Sequence, residues 1–161
     1  MSDDRVPAWA RALGTIPSGL FIVTAGTGAE ATGALLSFVQ QVGFEPPCVT
    51  IAVKAGRPLE DLIRRTGRFC VSVLDDASMT LLAHFAKGFE PGQPAFEGIE
   101  VGHDEAGVPY PCGALSWMSL EVVGESAGVT DHVVFSGKVV GGARLRDDKP
   151  MVHIRKTGLS Y

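Results

Sequence analysis

The spacing of apolar residues changes period several times along this chain, and each change marks an element. Pro7 followed by Ala8, Trp9, Ala10, Ala12 and Leu13 predicts a short helix, with Asp3 or Asp4 near its cap and Gly14 beyond its end. Residues 20–25 turn β-like, Gly26-Thr27-Gly28 makes a turn, and a second apolar run starts at Gly33, which together predict a hairpin. Glu45-Pro46-Pro47 breaks the chain before residues 48–54, where Val49, Ile51 and Val53 share one face and Thr50 and Ala52 take the other. Pro58 fits the first position of a helix carrying Leu59, Leu62 and Ile63 at helical spacing, and Gly67 closes it. Residues 69–74 predict a strand, and Asp75-Asp76 can cap a helix that carries Met79, Leu82, Ala83 and Ala86. A turn-rich stretch over residues 88–113, with Pro91, Pro94, Pro109 and Pro111, precedes two long strands at 114–123 and 132–140 and a last short one near 151–154.

This order is mainly β, with short helices that interrupt the strands instead of alternating with them as a doubly wound sheet requires. An antiparallel barrel of Greek-key type with helical insertions fits better. Many of the 20 glycines then fall at corners where barrel strands must bend. No repeat or low-complexity linker divides the 161 residues, which are expected to form one domain over 1–161.

Charge removes several classes of function. With 14 basic and 18 acidic side chains the formal charge is −4, and no Lys/Arg run exceeds Arg64-Arg65, so neither a nucleic acid nor an anionic membrane is expected as a partner. No apolar run reaches the length of a membrane span, and the first eleven residues lack the basic start and apolar centre of a signal peptide. Cys48, Cys70 and Cys112 are odd in number and show no CxxC spacing, so buried reduced thiols and a cytoplasmic location are expected.

Common catalytic signatures are absent: there is no GxxxxGK[ST], no HExxH and no GxSxG. Gly26, Gly28 and Gly33 have the wrong intervals for a dinucleotide loop and precede a strand, so they read as hairpin glycines. Asp131 and His132 are adjacent at a strand, where neighbours point to opposite faces, so they are not expected to pair as a catalytic dyad. Lys54 and Arg57 are more informative. A helix N-terminus disfavours cations unless an anion lies between, so their position just before Pro58 suits a phosphate or carboxylate; alternatively both reach into solvent or toward Glu60 and Asp61. Over residues 33–41, small Ala34 and polar Ser37 and Gln41 interrupt an apolar strand, which suits either a planar ligand or ordinary strand patterning.

The stretch Gly33-Ala-Leu-Leu-Ser-Phe-Val-Gln-Gln-Val-Gly-Phe-Glu-Pro-Pro47, then Cys48-Val-Thr-Ile-Ala-Val53, the turn of residues 54–59 and Gly67-Arg-Phe-Cys-Val-Ser-Val-Leu74 resemble the flavin reductase-like family of FMN-binding split barrels. His84-Phe-Ala-Lys-Gly-Phe-Glu-Pro-Gly92 and Ala95-Phe-Glu-Gly98 are most similar to the flavin reductase domain of cyanobacterial flavodiiron (diflavin) proteins. The resemblance implies an FMN-binding split β-barrel that forms a homodimer, with FMN, or FAD as the alternative, reduced by NAD(P)H. It implies that Ala34, Leu35, Leu36, Ser37, Phe38, Gln41 and Val53 contact the flavin, that Lys54, Arg57 and Pro58 meet its phosphate, and that Phe85 and Lys87 lie near the flavin or nicotinamide. It places His153 as the one catalytic candidate, helping to seat the reductant. Many similar proteins have asparagine and serine where this chain has Ser37-Phe38, which leaves open which of the two meets the flavin. His132 matches an Asp-His or Gly-Asp-His position of similar proteins, with structural, interface and catalytic roles all open; His84 is a packed residue or a cofactor neighbour, and His103 a loop residue. The expected activity is NAD(P)H:flavin oxidoreduction, with hydride passing to flavin N5 and electrons onward to oxygen, free flavin or a redox partner protein. The alternative is a flavin-binding electron carrier without NAD(P)H turnover of its own.

Overall fold

Seven strands make one antiparallel sheet in the order Thr32–Leu36 (β2), Phe21–Ala25 (β1), Arg68–Val73 (β5), Ser116–Ser126 (β8), His132–Arg144 (β9), Pro47–Lys54 (β4) and Val39–Phe44 (β3), curled so that its two edge strands are joined by only two residues. The structure is a computed structural model and describes residues 5–160. The strands are β1 (Phe21–Ala25), β2 (Thr32–Leu36), β3 (Val39–Phe44), β4 (Pro47–Lys54), β5 (Arg68–Val73), then the short β6 (Val101–His103) and β7 (Pro109–Pro111), and the long β8 (Ser116–Ser126) and β9 (His132–Arg144). Three helices, α1 (Ala8–Gly14), α2 (Pro58–Thr66) and α3 (Met79–Ala86), interrupt them. The expected antiparallel barrel is therefore present, and it is split.

The split corrects one expectation. The apolar run over residues 33–41 reads as one strand but forms two, because its halves find different partners: Leu36 pairs with Phe21 of β1, while Val39 pairs with Ile51 of β4. Ser37-Phe38 makes the bend between them, with Val39 N–H donating to Ser37 O at 3.1 Å and Ala52 N–H to Phe38 O at 2.9 Å. β2 and β3 thus lie at opposite edges of the sheet, and the gap between them is the opening of the barrel.

Alternation along β4 is as predicted. Val49, Ile51 and Val53 are buried against Phe69, Val71, Leu120 and Phe135, which fill the barrel. α2 follows its sequence signals: Pro58 opens it, Leu59, Leu62 and Ile63 face the core, and Gly67 ends it in the left-handed conformation at φ 68°. Asp75 caps a 3-10 turn, Asp76–Ser78, that leads into α3, and Leu81 and Phe85 bury against Ile22 and Leu74. At α1 the cap position is Pro7, without a side-chain bond, and Gly14 is the last helical residue; Asp3 and Asp4 lie outside the described residues.

Two further differences have clear causes. The last predicted strand is absent: residues 151–154 make only one isolated bridge, Ser18 with His153, next to a second between Pro150 and Asp75, because Val152 and Ile154 are exposed and find no ladder. Conversely, the proline-rich stretch contains the small β6–β7 ribbon, held where β7 crosses the barrel by Thr24 Oγ1 donating to Pro109 O and Tyr110 stacking on Trp117 at 4.0 Å. Asp104 anchors its turn. Burial opposes the Asp104 charge, yet Ser119 Oγ and the Val108 and Ala106 amides donate to the carboxylate and hold it below the ordinary range. Burial, with the Asp104 carboxylate alongside, pushes the Cys70 thiol up. None of the three cysteines is in a disulfide.

Candidate functional site

A cleft of about 720 Å³ opens at the split, a volume typical of small-molecule sites. Five segments line it: β2 and the bend after it, the end of β4 with the turn into α2, the C-terminal end of α3, the start of β9, and the segment from Arg155 to Ser160. The split brings these distant stretches together.

The β2 wall consists of Thr32, Gly33, Ala34, Leu35 and Leu36. Gly33 allows close packing, since a Cβ there would stand only 3.0 Å from Phe85 Cε1. At the bend Phe38 lines the cleft and is 37% exposed, whereas Ser37 is 2% exposed and turns inward. Val53 and Ala52 continue the floor, and Phe85 with Lys87 and Phe89 forms the far wall. Phe85 and Phe89 meet edge to face at 5.8 Å, and Lys87 Nζ lies 5.4 Å from the Phe89 ring centroid.

Lys54, Arg57 and Pro58 stand together at the α2 end of the cleft. The acids expected to compete for these cations have other partners: Glu60 accepts from Gly56 N–H and from Arg64, and Arg65 is the nearer cation to Asp61 at 3.9 Å. Burial works against the Glu60 charge, but the Arg64 and Gly56 bonds outweigh it and hold the carboxyl below its usual range. α2 therefore begins with a basic pair beside its N-terminal turn, facing the cleft. Arg155 and Lys87 add two more cations to the lining, against one carboxylate, Asp131.

Of the residues singled out in the sequence, the structure brings Ala34, Leu35, Leu36, Phe38, Val53, Lys54, Arg57, Pro58, Phe85 and Lys87 to this cleft, and leaves Ser37, Gln41 and His153 off its lining. Gln41 falls on β3, beyond the bend, where its side chain donates to Gly43 O at 3.2 Å. His153 exchanges backbone bonds with Ser18 at 2.7 and 3.0 Å, and its Nε2 is buried without a hydrogen-bond partner.

The structure adds residues the sequence reading missed. Asp131 precedes β9, so strand alternation does not separate it from His132: its carboxylate accepts from His132 Nδ1 at 2.8 Å, which is the chief reason its pKa is low. His132 in turn meets the Phe38 ring edge to face, with centroids 5.4 Å apart, and Phe38 also contacts Arg155, whose guanidinium lies 4.9 Å from the Phe38 centroid. Asp131 O accepts from Ala55 N–H at 3.0 Å and so ties this group to the Lys54–Arg57 turn. His84 is a packed residue here, with Nε2 2.7 Å from Ala95 O.

A flavin fits this donor set: an apolar wall with free backbone on one side, aromatic side chains opposite, and a basic pair at a helix N-terminus for a phosphate. Among the described residues no group of His, Cys, Asp and Glu is placed to hold a metal ion, and no helix is long and apolar enough to cross a membrane.

Comparison with known proteins agrees with this chemistry. The sequence model of the Flavin reductase like domain matches residues 13–158. A putative diflavin flavoprotein A 3 from Nostoc sp. is 35% identical over 152 residues, covering 94% of this chain and 26% of that protein. Diflavin flavoprotein A 1 from Synechocystis sp. is 35% identical over 154 residues, with the same two coverages. The chain thus spans about a quarter of the length of the curated relatives it matches. Among solved structures, the NADH:FAD oxidoreductase SgcE6 of Streptomyces globisporus superposes with a TM-score of 0.82 at 27% identity, covering 89% of this chain and 85% of that one.

Proposed function

The chain belongs to the flavin reductase-like family, and from this premise we propose that it is a flavin oxidoreductase that binds FMN in the cleft at the barrel split and reduces it with NAD(P)H. The observation that carries the reading is the basic pair Lys54 and Arg57 at the N-terminus of α2, set at the end of the apolar β2 wall. When bound, the flavin supplies a hydride acceptor at N5 for the nicotinamide and a store of electrons for oxygen, free flavin or a partner protein.

The protein's own part is orientation and shielding. Lys54 and Arg57 neutralise the phosphate with charge-assisted hydrogen bonds, while Pro58 fixes the turn that presents them. Ala34 offers a small side chain, and Ala34, Leu35 and Leu36 offer strand backbone to the flavin face, while Val53 closes the floor. Phe38 is the flavin neighbour at the bend, with Ser37 behind it. Phe85, Lys87 and Phe89 bound the side from which the nicotinamide enters. No side-chain nucleophile is required, because the cofactor carries the bond-making chemistry and the protein supplies binding and orientation.

FAD is the alternative substrate, supported by the NADH:FAD activity in the name of the Streptomyces relative. A homodimer belongs to the same reading: Val42 and Phe44 at the β3 edge and Val134 and Val140 on β9 are exposed apolar residues suited to a second copy. We place the chain in the cytoplasm on the strength of its three unpaired cysteines.

Equilibrium uptake of FMN and FAD, followed by steady-state NADH and NADPH oxidation on the same preparation, tests the proposal. Flavin uptake with turnover supports it. Uptake without turnover would make the chain an electron carrier, and no uptake would overturn the flavin site.

A further inference from the structure

One wall of the cleft is not part of the barrel. Arg155, Gly158, Leu159 and Ser160 follow the last bridge at His153 and belong to no strand. They are laid against α1 and the turn after it. Arg155 N–H donates to Gly14 O at 3.1 Å, Gly158 N–H donates to Ala10 O at 2.7 Å, and His153 and Ser18 exchange both backbone bonds.

The fit at this seam depends on two glycines. A Cβ on Gly14 would stand 2.5 Å from Arg155 O and 2.9 Å from Thr157 N, and a Cβ on Gly158 would collide with the Leu13 side chain. Backbone lies directly on backbone, so the segment has little room to shift without losing its bonds. From Arg155 the contact continues into the site through the Phe38 ring, then His132 and Asp131, and reaches the Lys54–Arg57 turn at Ala55.

We propose that α1 acts as a splint for the 155–160 wall, and that Gly14 is a positioning residue which sets flavin affinity by holding Arg155 against Phe38. The inference rests on the cleft being the flavin site, and it concerns a residue that touches no ligand. Helix propensity helps to separate the roles. Alanine forms helix better than glycine, so Gly14→Ala favours α1 itself while displacing the wall.

The test compares wild type, Gly14→Ala and Gly158→Ala, with Leu13→Gly combined with Gly158→Ala as the rescue. Flavin dissociation constants, steady-state kinetics and hydrogen exchange at the Arg155 and Gly158 amides are read on each. Both single variants should bind flavin about tenfold more weakly, because a wall displaced by the width of a methyl group no longer meets its ligand at contact distance. In Gly14→Ala, whose residue is off the cleft lining, the flavin KM should rise while kcat at saturating flavin holds; in both single variants the two amides should lose protection, and the barrel amides of β4 and β9 should keep theirs. Leu13→Gly should restore the Gly158→Ala protein. Wild-type affinity and protected amides in both single variants would overturn the inference. Wild-type protein that takes up no flavin would instead overturn the functional reading, and exchange at Arg155 and Gly158 would still decide whether α1 holds the wall.

Discussion

The guanidinium of Arg155 lies over the ring of Phe38, 4.9 Å from its centroid, and this contact joins the C-terminal segment to the bend that separates the two edges of the barrel. If Phe38 is a flavin neighbour held from behind by Arg155, Phe38→Ser and Arg155→Gln should each weaken FMN binding. A cation over an aromatic face at a partly exposed site contributes about 0.5–1 kcal/mol, so the loss should be about two- to fivefold. Phe38 is 37% exposed, so thermal stability should change little. Fluorescence titration with FMN checks the first point and a melting curve the second.

The basic pair makes a sharper claim. Lys54→Ala combined with Arg57→Ala removes two charge-assisted bonds of about 1.5–3 kcal/mol each and should weaken FMN binding well beyond tenfold. Riboflavin, which has no phosphate, should bind wild type and the double variant alike. Titrating both flavins into both proteins distinguishes loss of a phosphate anchor from general damage to the cleft.

Stability rests on a different pair. Arg146 Nη2 lies 2.6 Å from Oδ1 of the fully buried Asp75, and Nε lies 3.1 Å from Oδ2. The Arg146 bonds hold the Asp75 carboxyl below the usual range. A lowered native value adds stability that is present above the unfolded value, about 3.9, and is lost as pH falls through the native one. Arg146→Met leaves a buried carboxylate without its cation and should cost about 3–5 kcal/mol near pH 7. Burial then raises the Asp75 value in the variant, so protonation relieves it, and the gap to wild type should narrow toward pH 4. Adding Asp75→Asn should recover part of the loss. Thermal melts of the three proteins across pH test the sign.

The cysteines should separate by environment. Cys70 is fully buried with its thiol pushed up by burial, whereas Cys48 and Cys112 are half-buried. A thiol reagent applied to native protein should label Cys48 and Cys112 and leave Cys70 untouched until the chain unfolds, which mass spectrometry of the labelled peptides can show.

What the sequence made legible was what local chemistry controls. Pro58 and Gly67 bound α2, the Val49, Ile51 and Val53 alternation marks a barrel strand, and the cations before the α2 start were visible as a basic pair, which the fold sets on the cleft lining. The break between Leu36 and Val39 was hidden because no proline or glycine marks it, and only pairing with β1 on one side and β4 on the other divides the two halves. Asp131 and His132 were visible as residues, but their pairing depends on Asp131 lying one position before the strand. Gly14 was legible only as the end of α1 and Arg155 carried no local signal; their contact comes from a seam between two segments far apart in the chain. The family resemblance extended further than periodicity could, to the strand and turn that line the cleft. Gln41 and His153, which the resemblance also singled out, lie off the cleft lining.

The central claim is that the cleft at the barrel split holds a flavin and lets NAD(P)H reduce it there. An anaerobic titration of FMN-loaded protein with NADH and NADPH, followed by visible absorbance, tests it most directly when wild type and the Lys54→Ala, Arg57→Ala variant are compared at a flavin concentration that saturates only wild type. Rapid stoichiometric bleaching in wild type and little in the variant is the predicted result. Equal bleaching in both proteins, or none in wild type with either nucleotide, would contradict the account.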